Sequence, residues 1–338
     1  MSAVLLGLGA LLLLVLLVAL VVGARAKPRL RAKFPPPGAL VDVGGYRLHL
    51  VCEGEGLPTV VMEAGMGDPS SIWALVQPQI AQTTRVCTYD RAGLGWSDPS
   101  PQPRTAENIV RELHALLHNA GVHGPYVLVG HSIGGIYMRL FAHTYPNEVA
   151  GMVLLDSSHE AQMTRAPQAF AEYMQRSLAK ARRQMSLYRP LAAMGLFAAA
   201  PALVPADTLL PQAARDAYQA TAAQGTNFLT AVMGEMQALD ASFAQAQAAQ
   251  ITALGDIPLV VLSRSKPVLT PEEGLPPDVM DAVNRGWHLM QGELAALSPA
   301  GALRVAEECG HYIHLEQPQL VVDAIREVVA RARVRRLP

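Results

Sequence analysis

The segment YVLVGHSIGGIYMRLFAHTY, residues 126–145, contains an apolar strand, a glycine-rich turn and a helix, in that order. Residues 126–129 are strand formers, and the helix begins near residue 133 and ends before a proline. The turn has Gly-x-Ser-x-Gly spacing, and its glycines leave room for the strand and the helix to approach each other. This context predicts a sharp turn that exposes the Ser132 hydroxyl at the carboxyl edge of a sheet. The alternative is a tight turn with a solvated serine.

The chain after residue 38 alternates short runs rich in Val and Leu with helical stretches. Gly44-Gly45 suits a two-residue hairpin between the first two runs. The pattern predicts an α/β fold, with a mostly parallel eight-stranded sheet and helices on both faces. The predicted strands are Ala39–Val43, Tyr46–Cys52, Thr59–Glu63, Arg85–Tyr89, Tyr126–Val129, Gly151–Leu155, Pro258–Leu262 and Leu303–Ala306.

Residues 158–255 interrupt this alternation. They are rich in Ala, Gln and Met, and they contain no convincing strand. The stretch is too long for a simple crossover between two parallel strands. We therefore predict a helical insertion between the sixth and seventh strands.

The chain from residue 39 to residue 334 resembles the α/β-hydrolase fold family in three motifs. The first is the serine turn at 130–134, and the second is YDRAGLGWS at 89–97, which resembles the family's D-x-x-G-x-G-x-S loop. The third is GHYIHLEQP at 310–318, which resembles G-H-x-x-x-x-E-x-P. The resemblance implies a serine hydrolase. Its core would comprise residues 39–157 and 256–334, and residues 158–255 would form a helical cap domain.

A serine nucleophile needs a base within hydrogen-bonding reach. His311 directly follows the last predicted strand and completes the order serine, acid, histidine that this fold uses. We therefore predict that His311 is the base. His314, His131 and His159 are alternatives that more often have structural or pocket-lining roles.

The third member of the expected catalytic triad is an acid. In the family this carboxylate usually follows the seventh strand, and this chain departs from that pattern. Here that strand is followed by Ser-Arg-Ser at 263–265, and no acid appears before Glu272. Asp156 ends the sixth strand, whose carboxyl end reaches the same sheet edge. We predict Asp156 as the acid that orients the histidine. In the alternative, Asp156 caps a helix and Asp278 or Asp281 takes this role.

A tetrahedral oxyanion needs preorganised N–H donors. The Ile133 N–H, just after the serine, is one candidate. By position in the loop at 63–68, the second is the Met66 N–H. Relatives usually have His-Gly in this loop, whereas this chain has Ala64-Gly65. The alternative interpretation of the loop is an ordinary glycine turn.

Composition excludes several classes of protein. Of the 338 residues, 51% are hydrophobic and 16% are charged, which is incompatible with a disordered chain. The net charge of −1 gives no electrostatic reason to expect nucleic-acid binding. Neither a metal-ligand cluster nor a dinucleotide-binding glycine motif is evident, so no cofactor is expected. The three cysteines, Cys52, Cys87 and Cys309, are odd in number and far apart, so we expect no disulfide and interpret the first two as buried small hydrophobes.

The N-terminal segment is apolar from residue 3 to residue 24. This length fits a transmembrane helix, and the alternatives are a cleaved signal with Ala-Arg-Ala at 24–26 and a buried core helix. We predict that residues 1–33 form a membrane anchor and that the following domain is cytoplasmic, because basic residues follow the span. We interpret residues 34–38, FPPPG, as a stiff spacer between the anchor and the following domain. The basic residues are Arg25, Lys27, Arg29, Arg31 and Lys33.

The predicted function is hydrolysis of carboxylic esters through an acyl-serine. The family's haloalkane dehalogenases and epoxide hydrolases are excluded because they use an aspartate at the position of Ser132. The expected substrate is small to medium and largely apolar, with cap residues such as Met233 and Phe243 selecting the acyl group. The alternatives are an aminopeptidase, a C–C bond hydrolase, a perhydrolase, a non-catalytic ligand-binding relative and a membrane scaffold.

Overall fold

The computed structural model describes residues 2–267 and 274–335. Its sheet consists of β1 (Ala39–Asp42), β2 (Arg47–Glu53), β3 (Thr59–Glu63), β4 (Val86–Tyr89), β5 (Tyr126–His131), β6 (Val149–Leu155), β7 (Leu259–Arg264) and β8 (Gly301–Ala306). In space the strands have the order β1-β2-β4-β3-β5-β6-β7-β8. The β1–β2 and β2–β4 pairs are antiparallel, and the other pairs are parallel. The predicted eight-stranded, mostly parallel sheet is confirmed.

Helices cover both faces of this sheet. The helices in the described part of the chain are α1 (Ser2–Lys33), α2 (Gln77–Ile80), α3 (Ala106–Asn119), α4 (Gly134–Thr144), α5 (Gln168–Met194), α6 (Leu196–Ala199), α7 (Gln212–Ala222), α8 (Asn227–Gln237), α9 (Leu239–Ala248), α10 (Pro277–Ala295), α11 (Ile313–Glu316) and α12 (Pro318–Val334). Short 3₁₀ turns lie at Ser70–Trp73, Pro146–Glu148 and Pro201–Leu203.

The central strands are apolar on both faces because both faces are covered. Val61 and Leu128 belong to a core cluster that includes α3 and α4. Their chain neighbours Val60 and Val127 belong to a second cluster, which includes α12 on the opposite side of the sheet. Successive strand side chains point to opposite faces, so continuous apolar runs are what a doubly covered sheet requires.

The stretch between β6 and β7 is helical, as predicted, and contains α5 to α9. We call residues 158–255 the cap. Helix α9 packs beside α3, where the Ser242 hydroxyl accepts a hydrogen bond of 3.0 Å from the Ala106 N–H. This bond satisfies one of the free N–H groups at the start of α3. The division of the chain into separate domains stays a prediction.

The N-terminal helix α1 packs against the cap through its second half. A Cβ at Gly23 would lie 1.8 Å from the Met194 carbonyl oxygen, so glycine is required for this close approach. Lys27 Nζ donates a 2.7 Å bond to the Ala193 carbonyl, and Leu30 is buried in a small cluster with cap alanines. Part of the basic segment at residues 25–33 therefore contacts the cap.

Among residues 2–267 and 274–335, no helix has both the length and the apolar character that crossing a membrane requires. The membrane anchor predicted for residues 1–33 is therefore not supported. The cytoplasmic location was inferred from that anchor and loses its basis.

The expectation that the cysteines form no disulfide is wrong. Cys52 and Cys87 are bonded to each other, and their Cα atoms are 4.1 Å apart. Antiparallel pairing of β2 with β4 places these residues directly opposite each other. Cys309 is the free, buried cysteine, which accounts for the odd number.

Candidate active site

Ser132 lies at the turn between β5 and α4. Its φ of 55° is in the left-handed region, which a non-glycine residue rarely adopts outside strained functional turns. The backbone bonds that fix the turn include one from the Ser132 N–H to the Leu155 carbonyl at 3.1 Å and one from the Ser158 N–H to the Ser132 carbonyl at 2.9 Å. The predicted strand-turn-helix context of the serine is therefore present.

The glycines of this turn are required by close contacts. A Cβ at Gly130 would lie 2.7 Å from the Gly135 Cα, and one at Gly134 would lie 2.7 Å from the Ala64 carbonyl oxygen. Both distances are far below normal van der Waals separation. Glycine spacing therefore allows the strand, the helix and the neighbouring loop after β3 to converge around the serine.

Asp156 and His311 meet at the carboxyl edge of the sheet. His311 Nδ1 lies 2.6 Å from Asp156 Oδ2. The Asp156 side chain is fully buried, whereas the His311 side chain is 30% exposed. The two alternative acids, Asp278 and Asp281, are exposed residues in the first turns of α10. The structure thus places Asp156, rather than either alternative, against the histidine.

Two residues that the sequence analysis did not identify also bind Asp156. Trp287 Nε1 donates to Asp156 Oδ1 at 2.7 Å, and the Arg264 guanidinium pairs with Oδ2. Burial would raise the pKa of Asp156, but the hydrogen bond from His311, the charge of Arg264 and the Trp287 bond lower it below its ordinary value. Asp156 is therefore ionised at neutral pH. The feature of the sequence that could have indicated these contacts is Arg264. It lies on β7, close to the position at which relatives carry the acid.

The other candidate histidines have different surroundings. His131 Nε2 lies 3.0 Å from the His311 carbonyl oxygen, and a carbonyl can only accept, so His131 donates this bond. Burial, and then the neighbouring histidines, lower the pKa of His131 well below its usual range. Burial likewise lowers the pKa of His314 to about 3. The rings of His131 and His314 are therefore neutral at physiological pH. His159 lies elsewhere, near the acids Glu160 and Glu293.

Ser132 and His311 open into the same cavity, which has a volume of about 460 Å³. The Arg165–Glu293 ion pair also lines it, with a separation of 2.6 Å and both side chains about half exposed. The rest of the wall is mostly apolar, as in many small-molecule sites. The apolar side chains include Met163, Phe170, Met174, Val283, Leu289 and Met290.

Met233 and Phe243, which we predicted to select the acyl group, are not among the residues that line this cavity. Phe243 is 5% exposed and packs in the core cluster with α3 and α4. Cap residues on α5, such as Phe170 and Met174, form the wall instead. Composition could not distinguish these positions, because α5, α8 and α9 all contain alanine, glutamine and large apolar side chains.

The two predicted oxyanion donors lie on loops around the serine. Ile133 precedes the first residue of α4, and Met66 lies in the loop after β3. Within the described part of the chain, neither N–H has a backbone acceptor. A helix N-terminus also favours negative charge near its free N–H groups. Both donors are therefore available for a ligand.

No group of three or more His, Cys, Asp or Glu side chains in the described residues is arranged to hold a metal ion.

Comparison with known proteins identifies the family. Residues 60–324 match the alpha/beta hydrolase family, so the chain belongs to it.

Two curated relatives illustrate the extent of the similarity. YqjL of Bacillus subtilis is 43% identical over 98 residues, which are 29% of this chain and 39% of that protein. A protein of the AB hydrolase superfamily from Gibberella zeae is 36% identical over 107 residues, which are 30% of this chain and 33% of that protein. The aligned part of this chain covers between 15% and 39% of the length of these and similar curated relatives.

Solved structures share the fold at low sequence identity. An epoxide hydrolase from Vigna radiata superimposes with a TM-score of 0.64 at 17% identity, covering 86% of this chain and 97% of that one. A thermophilic esterase from Thermogutta terrifontis gives 0.57 at 22% identity, covering 87% of this chain and 97% of that one. These similarities show the fold alone.

Proposed function

We propose that this protein is a serine hydrolase that cleaves carboxylic esters through an acyl-serine intermediate. The observation that carries the proposal is that His311, whose Nδ1 lies 2.6 Å from Asp156 Oδ2, lines the same cavity as Ser132. Asp156 accepts the Nδ1–H of His311, which leaves Nε2 free to act as the base. An ionised, buried carboxylate at this position also stabilises the imidazolium that forms during the reaction.

The proposed reaction has two halves. His311 Nε2 takes the Ser132 hydroxyl proton as Oγ attacks the ester carbonyl carbon, and the resulting oxyanion is bound by the Met66 and Ile133 N–H groups. The intermediate collapses, the bond to the alcohol breaks, and His311 returns its proton to the departing oxygen. Water then attacks the acyl-serine by the same route, releasing the carboxylic acid and restoring Ser132.

The substrate we propose is a small to medium, largely apolar ester. The apolar wall of the cavity favours an acyl chain, whereas the charged side chains Arg165 and Glu293 are paired with each other. Among the proteins that share the fold, the Thermogutta terrifontis enzyme is an esterase and another is described as degrading N-acyl homoserine lactones. Epoxide hydrolases share the fold too, but the serine at position 132 favours acyl chemistry over theirs.

The test combines covalent labelling with turnover, using the full chain because α1 packs on the cap. We expect a fluorophosphonate probe to label Ser132 and the protein to hydrolyse p-nitrophenyl esters over a series of acyl lengths. Ser132→Ala should abolish labelling and lower kcat by about 10⁵- to 10⁶-fold. Ser158→Ala is the matched control, because Ser158 lines the same cavity, and it should still be labelled. Persistent labelling of Ser132→Ala at another serine would contradict the assignment.

A further inference from the structure

A buried ion-pair network lies behind the loop that carries the Met66 N–H. Arg91 follows β4, Glu63 ends β3, and Glu235 belongs to the cap helix α8. Arg91 Nη1 lies 2.5 Å from Glu63 Oε1, and Arg91 Nε lies 2.7 Å from Glu235 Oε1. None of the three side chains is more than 1% exposed. One buried guanidinium is therefore shared between the cap and the core.

The remaining N–H groups of Arg91 bind the backbone of the loop and the second oxygen of Glu235. Nη1 donates to the Ala64 carbonyl at 2.9 Å, and Nη2 donates to the Gly65 carbonyl at 2.6 Å. Nη2 also donates to Glu235 Oε2 at 3.1 Å. Every N–H of the guanidinium thus has an acceptor, which fixes the plane of the group.

These bonds determine the direction of the Met66 N–H. In a trans peptide the C=O of Gly65 and the N–H of Met66 point in opposite directions. Because Arg91 holds the Gly65 oxygen, the Met66 N–H points away from Arg91. On the other side of Met66, the Gly67 N–H donates to Glu235 Oε2 at 2.8 Å. The peptides before and after Met66 are both held, while the Met66 N–H itself has no backbone acceptor among the described residues.

We propose that Glu235 is a positioning residue of the oxyanion hole, through which docking of the cap fixes the Met66 N–H. The inference rests on the proposed function, because an oxyanion forms only if Ser132 attacks an acyl group. It goes beyond the expectation that cap residues select the acyl group. The carboxylate of Glu235 acts through Arg91 and the Gly67 N–H, and it does not touch the substrate.

The variant that tests this is Glu235→Gln. Glutamine has nearly the same size, and Arg91 keeps Glu63 as a charged partner, so the core is expected to remain folded. The oxygen of the neutral amide accepts weaker hydrogen bonds than a carboxylate oxygen does. The amide NH₂ group would face N–H donors of Arg91 and Gly67, with which it cannot form a hydrogen bond. The loop should therefore lose its fixed orientation.

We expect kcat of Glu235→Gln to fall by about 10- to 100-fold for every ester of the acyl series, since loss of a complete donor costs about 10²–10³. KM should change by less than about twofold, because ground-state binding in the apolar cavity is untouched. The affinity for an alkylboronic acid, which mimics the tetrahedral state, should fall by the same factor as kcat. Gln237→Ala is the control, because Gln237 is exposed on the same helix, and it should leave all these values unchanged.

Hydrogen exchange of residues 63–68 provides a readout that does not depend on activity. We expect faster exchange in Glu235→Gln and no change in Gln237→Ala. If the wild-type protein turned over no ester, the proposed function would fail, and the exchange result would still decide whether Glu235 fixes the loop.

Two outcomes would overturn the inference. One is unchanged kcat and unchanged exchange in Glu235→Gln. The other is a loss confined to long acyl chains with a raised KM, which would make Glu235 a determinant of substrate choice. If Glu235→Gln does not fold, Glu235→Asp keeps the charge with a shorter reach, and a folded Glu235→Asp with wild-type kcat and exchange would equally overturn it.

Discussion

At the scale of single residues, the pairing of Asp156 with Arg264 changes what substitution of the acid should do. Asp156→Asn should lower kcat by about 10⁴-fold, because the amide no longer holds the His311 tautomer. It should also lower the free energy of unfolding by about 3–5 kcal/mol, because the buried Arg264 guanidinium loses its charged partner. Steady-state kinetics and urea denaturation measure the two effects.

Asp278→Asn is the matched control for the acid, because Asp278 is exposed at the start of α10. It should leave both kcat and stability near the wild-type values. In the double variant Asp156→Asn, Arg264→Gln, stability should partly recover while kcat stays low, which separates the two roles of the carboxylate. Near-normal turnover in Asp156→Asn would show that another residue serves as the acid.

The same pair predicts how stability depends on pH. The pKa of Asp156 is lowered below 3.8 in the folded protein, despite burial, by His311, Arg264 and Trp287. Its contribution to stability is therefore complete above the ordinary pKa and is lost as pH falls through the lowered value. Denaturation curves between pH 2 and pH 6 should show the wild-type protein losing its stability advantage over Asp156→Asn as the pH falls below 3.8. Parallel curves for the two proteins would contradict the pKa shift.

At the scale of the elements, helix α5 rather than α9 should determine acyl preference. Met174 on α5 lines the cavity, so Met174→Ala should shift the preferred p-nitrophenyl ester towards longer acyl chains. Phe243 on α9 is buried in the core, so Phe243→Ala should instead lower the free energy of unfolding by about 3–5 kcal/mol. Its relative rates across the acyl series should match those of the wild type. A shift in preference by Phe243→Ala alone would reverse these roles.

The elements themselves could be predicted because their causes are local. Buried parallel strands need continuous apolar runs, so β3 was predicted with the bounds that the structure shows and β5 with the same first residue. Ser132, Asp156 and His311 could be proposed together because each lies within five residues after the end of a predicted strand, and parallel strands end at one edge of the sheet. Helix α1 was recognised as apolar, but its packing on the cap depends on a close contact at Gly23 that no local pattern indicates.

Contacts between distant parts of the chain explain what the sequence did not reveal. The ion pair of Arg91 with Glu235 joins residues separated by 144 positions, and Cys52 and Cys87 are 35 positions apart. Neither pairing follows from composition or periodicity, because each depends on which elements become neighbours in space. Once the strand order is known, the Cys52–Cys87 contact follows directly from the register of β2 with β4.

At the scale of the whole molecule, the disulfide should contribute to global stability. It joins residues 35 positions apart and so restricts the unfolded chain. Such a restriction raises the free energy of unfolding by about 2–4 kcal/mol. We expect the double variant Cys52→Ser, Cys87→Ser to unfold at a lower urea concentration than the wild type. Dithiothreitol should lower the unfolding midpoint of the wild type to a similar value. Cys309→Ser, which removes the free thiol, should show the same loss on reduction as the wild type. No effect of reductant on the wild type would mean that the thiols are not bonded.

The fully satisfied guanidinium of Arg91 has a consequence for engineering. One way to change specificity would be to replace the cap, residues 158–255, with the cap of another enzyme. Here a foreign cap without a carboxylate at the place of Glu235 would leave Arg91 short of acceptors in a dry interior, and the Gly67 N–H without its partner. Cap and core of this protein are therefore not interchangeable modules. A successful chimera has to transplant the Glu235–Arg91 contact as a unit, together with the surface of α8 that carries it.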